Sequence, residues 1–183
     1  MKKVVHKWFW AWSFEKEEKW LNEMAAKGLV LSSVGFCKYV FEDSLPDTYS
    51  VRLELLENAP THPESEKYIR FLEETGAEHV GNYMRWTYFR KKRADGAFDL
   101  FSDIPSRIKH LNRILALLLP LTIFNTAIGI QNVILFFAKF AGDFSNLNAI
   151  GFVNLAISAL VTIGIIKLFA KRRKLKKEQR IFE

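Results

Sequence analysis

The side chains able to do chemistry are few. They are His6, His62, His79 and His110, the single Cys37, and the acids Glu15, Glu17 and Glu18 of FEKEEKW. Metal binding needs several such ligands at short, regular spacing, and none of the four histidines has that spacing with the cysteine or an acid. His6 and His79 would meet only if the first and last strands were neighbours. There is no glycine-rich phosphate loop, no G-x-S-x-G and no H-E-x-x-H. The acids of FEKEEKW read as the solvated face of a helix rather than a carboxylate pair. The expectation is a protein that is not an enzyme and that holds no metal and no cofactor. A lone Cys37 cannot form an intramolecular disulfide; it is expected as a small core residue within a strand.

Recognition chemistry is better represented. In KWFWAWS, Trp8, Trp10 and Trp12 alternate with Phe9 and Ala11. On a strand covering residues 4–12 the three indoles point one way and Phe9 and Ala11 the other. Apolar residues on both sides suit a central strand. The indole side would then lie on an open sheet face beside Met84 and Trp86, where a second copy, an apolar ligand, a partner protein or the membrane surface would cover it. The other reading is that the indoles form the core under the helices.

The elements that position this stretch read as strand, helix, strand, strand, helix, strand. Ser13 is placed to cap the first helix, whose apolar face is Phe14, Leu21, Met24 and Ala25, with Gly28 as its stop. Residues 29–41 read as one strand with a bulge at Gly35, and TYSVRLELLE as the next. Pro63 opens a second helix, with Glu66 and Arg70 paired four apart and Gly76 beyond its end. EHVGNYMRWTYFRKK supplies the fourth strand. This order is the ferredoxin-like βαββαβ arrangement, with the first and third strands central. The fold class expected is therefore α+β over residues 1–93.

Charge divides the 183-residue chain in two. Residues 1–103 hold 15 Lys and Arg against 17 Asp and Glu; residues 104–183 hold 12 against 3, giving the overall +7. A nucleic-acid-binding domain would carry its basic patch on the folded part. Here the excess flanks apolar runs, so no nucleic-acid partner is expected. Residues 114–137 and 147–169 are each long enough to cross a bilayer core, which needs roughly 20 apolar residues. Pro120 is tolerated in a spanning helix, and Lys167 sits near one end, where its stem can reach the headgroups. Residues 94–113 read as an amphipathic juxtamembrane segment with Phe101, Ile104, Ile108 and Leu111 on one face. Residues 138–146 form a short loop with only Lys139 and Asp143. Arg107, Lys109 and Arg113 precede the first span. Lys171, Arg172, Arg173, Lys174, Lys176 and Lys177 follow the second, in a tail over residues 170–183. The positive-inside rule places both termini in the cytoplasm, and the basic tail can also meet anionic headgroups.

Small and polar residues stripe both spans: Thr122, Asn125, Thr126, Gly129 and Asn132 in the first, and Asn154, Ser158 and Thr162 in the second. At spacings of three and four each set forms one face. Such faces pack helices together in lipid, within one chain or between copies. A transport pathway through an oligomer is the sharper alternative, weakened by the lack of an intramembrane acid or base.

The element WLNEMAAKG (Trp20–Gly28), the strand ending Tyr39-Val40-Phe41, Pro46–Tyr49, Phe89–Lys91 and FSDIPSRI (Phe101–Ile108) together resemble the bacterial family called domain of unknown function 2812. The resemblance covers about residues 5–110. Leu29 departs from it, standing where that family often has Trp. The family has no established activity and no catalytic residues to carry over. Its members are often encoded near PadR-type transcriptional regulators, which implies a regulatory partner in an envelope or stress response. The function expected is a cytoplasmic binding or sensing module on a two-span membrane anchor; the alternative is an oligomeric transporter or export-accessory subunit.

Overall fold

Phe14, Glu17, Leu21 and Ala25 recur every three or four residues, and they are the buried stripe of helix α1, Phe14–Ala26. The Ser13 hydroxyl makes no cap bond. Helix α2, Pro63–Glu74, buries Ser65, Ile69 and Leu72, with Pro63 in its first turn and the Glu64 amide donating to His62 Nδ1. The residue after each helix's last turn is a glycine in the left-handed region, Gly28 at φ +78° and Gly76 at φ +87°, where any other residue would be strained. At Gly28 a Cβ would also lie 2.8 Å from the Ser44 carbonyl oxygen.

The computed structural model describes residues 2–138 and 150–182. The chain divides into two compact units, Met1–His110 and Leu111–Glu183. The first holds six strands: β1 (Lys2–His6), β2 (Leu29–Gly35), β3 (Lys38–Asp43), β4 (Tyr49–Leu55), β5 (Glu78–Tyr83) and β6 (Trp86–Lys92). They form two antiparallel sheets, ordered β1-β3-β2 and β4-β6-β5.

The single four-stranded ferredoxin-like sheet is therefore replaced by six strands in two sheets. Both differences have one cause. The stretches 29–41 and 78–92, read as single strands, are each a hairpin, turning at Phe36-Cys37 and at Met84-Arg85. Cys37 sits at φ +50° in the first turn rather than in a strand core, and Met84 at φ +55° in the second. Consequently β1 and β4 are edge strands, and β3 and β6 are central.

The two halves repeat each other. Each is βαββ, and in each sheet the strand order is first, third, second. Equivalent positions lie 48 apart: Glu17 and Ser65, Leu21 and Ile69, Gly28 and Gly76, Phe41 and Phe89. The β-bulges match as well, between Leu31 and Ser33 in β2 and between His79 and Gly81 in β5. Phe41 and Phe89 are both fully buried. Glu42 and Arg90, also 48 apart, join the halves: Arg90 binds Glu42 and Glu78 at 2.7 Å each and donates to the Leu31 carbonyl.

Residues 93–95 form a single 3-10 turn, and the next helix does not begin until Ile104. The residues between are not an interfacial helix. Phe98 is buried in the core of the second half, with Leu56, Ile69, Leu72, Ala77 and Phe89. Helices α3 (Ile104–Ala138) and α4 (Ile150–Phe182) are long and apolar enough to cross a membrane, each holding an 18-residue stretch whose mean hydropathy is 1.8 in α3 and 2.1 in α4. The loop with Lys139 and Asp143, and the expected start of the second span at residues 147–149, lie outside the described residues.

Candidate functional site

β1 ends at His6. The backbone of residues 7–10 is irregular, and Ala11–Ser13 form a 3-10 turn. The tryptophan stretch is thus not a strand. The alternation still separates the rings. Phe9 packs on Trp20 and Tyr39, at 5.5 and 6.3 Å. On the other side Trp12 stacks on Trp10 at 4.8 Å, Trp10 meets Trp8 edge-on at 5.4 Å, and Trp8 meets Phe36 at 5.9 Å. Phe36 continues to Tyr83 at 5.8 Å. The result is a ridge of five rings. It is not core: Trp8 is 53% exposed, Trp10 39% and Phe36 65%. Phe36 stands on the hairpin turn that the sequence reading missed. Trp86 does not join the ridge; it packs against Phe14 and His110.

A separate buried polar group centres on Glu17, which the sequence reading assigned to solvent. Glu17 Oε1 accepts from Tyr39 Oη at 2.8 Å and from Tyr88 Oη at 2.7 Å. Tyr39 comes from β3 and Tyr88 from β6, so one carboxylate ties α1 to both halves. Loss of water pushes the Glu17 carboxyl above its ordinary value, and the two phenol hydroxyls oppose that rise. Burial, reinforced by the Glu17 carboxylate, raises both phenols. The signal was available: Glu17 falls on the Phe14–Leu21–Ala25 stripe.

The outer edge of β4 is closed by side chains. Asn22 accepts from the Val51 amide at 3.0 Å and donates to the Val51 carbonyl at 2.9 Å. Glu18 Oε2 accepts from the Leu53 amide at 3.4 Å, and His110 Nε2 from the Leu55 amide at 3.0 Å. An accepting Nε2 carries no proton, which makes the imidazole the Nδ1–H tautomer. Among the described residues no three His, Cys, Asp or Glu side chains are grouped to hold a metal ion.

In the second unit Asn125 crosses between the helices, donating to the Asn154 carbonyl at 2.8 Å and to Ser158 Oγ at 2.7 Å. Thr122, Thr126, Asn132 and Thr162 instead donate to carbonyls four residues back on their own helices. Gly129 and Gly151 mark the close approach: a Cβ on Gly151 would lie 2.8 Å from the Gly129 carbonyl oxygen. The basic residues Lys171, Arg172, Arg173, Lys174, Lys176 and Lys177 are helical, on the last turns of α4.

Residues 13–123, more than half the chain, match the model of a family described as protein of unknown function (DUF2812). The chain belongs to this family. The DUF2812 match begins just before α1, takes in β2 to β6 and ends inside α3; it leaves out β1 and the tryptophans of the ridge. No curated protein and no solved structure matches the chain.

Proposed function

We propose that this DUF2812 protein is a non-enzymatic, two-span membrane protein. Its first unit is a cytoplasmic binding module that recognises a regulatory protein through the ridge of Trp8, Trp10, Trp12 and Phe36. The observation that carries the reading is the exposure of Trp8, Trp10 and Phe36 in one continuous chain of rings, with Trp12 half-buried at its end. Such rings at a surface are the usual anchors of a protein interface, because they bury much area at little cost in side-chain entropy. The side of the membrane is argued from the cations that border the spans. The regulatory partner is argued from the PadR-type neighbours that the family resemblance implies. The Asn125 amide donates across to the Asn154 backbone carbonyl and to Ser158 Oγ, which supports a helix-packing role for the polar stripe over a transport pathway.

The test replaces Trp8 with the photo-crosslinker p-benzoylphenylalanine in the full-length protein in cells. Irradiation is expected to give one adduct with a cytoplasmic regulator, weakened by Trp10→Ala. Adducts with lipid alone, or the same adduct in the Trp10→Ala background, would refute the ridge as the binding surface.

A further inference from the structure

The internal repeat exposes an asymmetry. β1 and β4 are equivalent edge strands, related by a shift of 49 positions. The Leu56 amide donates inward to the Arg85 carbonyl, so the amides of Val51, Leu53 and Leu55 point outward, to the side chains that close the β4 edge. The Lys7 amide donates inward to the Cys37 carbonyl in the same way, so the amides of Lys2, Val4 and His6 point outward from β1. Among the described residues no side chain bonds to those groups. The helix positions that would supply one are Glu66 and Arg70, 48 beyond Glu18 and Asn22, and these two pair with each other instead. Lys2, Lys3, Val4 and His6 are all exposed, Val4 by 48%. An edge of unpaired amides and carbonyls is a template for another strand.

We infer that β1 is a strand-addition site, and that its occupant is an extended acidic segment of a partner protein. Charge decides the occupant. The strand and its flank carry Lys2, Lys3 and Lys7, with Lys38 opposite His6 and Glu42 opposite Lys2 in the sheet. Pairing β1 with a second copy would set six lysines along one seam with no acid on either strand, and like charges across a pair are destabilising. A strand with acids at alternate positions can set them opposite Lys3 and Lys7, which share one face of the sheet, while Lys2 lies on the other. This inference goes beyond the ridge reading, since it rests on backbone groups that the ridge does not contain.

The probes are two capped peptides, one alternating glutamate and valine over seven residues and one alternating lysine and valine. Binding is read by fluorescence anisotropy on the full-length protein in neutral detergent, with hydrogen exchange followed along residues 2–10. The glutamate peptide is expected to bind and to slow exchange at Lys2, Val4 and His6; the lysine peptide is not. Val4→Pro removes an outward amide that the β1–β3 ladder does not use, and is expected to weaken binding about tenfold or more. Lys3→Glu with Lys7→Glu is expected to reverse the preference between the peptides. Trp8→Ala with Trp10→Ala is expected to leave both binding and protection in place; loss there together with unchanged binding by Val4→Pro would assign the peptide to the ridge and overturn the strand site. Protection confined to residues outside β1, or a preference that survives the lysine reversal, would overturn it as well.

Discussion

Glu17 is a carboxylate that two tyrosine hydroxyls solvate in place of water. Its folded-state value lies above the ordinary 4.5 because burial penalises the charged form. The folded state therefore holds this proton more tightly than the unfolded chain does. The contribution to stability is complete below the ordinary value and is lost as pH rises through the raised one. Thermal unfolding is thus expected to show a fall in stability as pH climbs from about 4.5. Glu17→Gln keeps an oxygen to accept from both tyrosines and is expected to flatten that fall. Burial raises Glu18 in the same direction, so a shallower slope remains. An unchanged slope in Glu17→Gln would show that this carboxyl does not titrate across the unfolding transition. The residue was misread because charge composition dominated the reading of FEKEEKW, although spacing puts Glu17 on the buried stripe. The tryptophans show the opposite case: alternation separated Trp8, Trp10 and Trp12 from Phe9 correctly, while the strand that was meant to carry it ends at His6.

At the scale of elements, both helices were legible because their boundaries are written in Pro63, Gly28 and Gly76. The hairpins were not. Tight hairpins usually announce themselves with Asn-Gly or Asp-Gly; here the left-handed turn residues are Cys37 and Met84, which carry no such signal. Missing two turns merged four strands into two and hid the repeat, whose halves share only scattered identical residues such as Gly28 and Gly76 or Phe41 and Phe89. The repeat's edge strands differ in how they are guarded. Asn22→Ala strips the Val51 amide and carbonyl of their partner, and an unmet buried group costs on the order of 1–3 kcal/mol. The expected outcome is a lower unfolding midpoint and faster hydrogen exchange at Val51, with Leu53 affected less. Exchange at Val51 as slow as in the parent would show that another group closes this edge. In the second unit the helix pair depends on close backbone approach. Gly151→Leu is expected to lower the detergent unfolding temperature markedly, because its Cβ meets the Gly129 carbonyl and the Asn132 Cβ at 2.8 Å. Equal stability would mean that α3 and α4 do not pack through this face.

For the whole molecule, the division into a near-neutral part and an apolar, cation-bordered part was plain from charge and hydropathy alone. The two long helices follow it, and the boundary between compact units falls at His110, a few residues before the first uninterrupted apolar run. The strand pairing was less accessible, because backbone edges have no side-chain signature. The first unit is proposed to face the cytoplasm from a bilayer anchor, and the chain carries its own reporter for that: Cys37 is the sole cysteine, partly exposed on a hairpin turn of the first unit. A membrane-impermeant maleimide applied to intact cells is predicted to leave Cys37 unlabelled, and to label it once the membrane is permeabilised. Labelling of equal extent before and after permeabilisation would place this unit outside the cell and contradict the account.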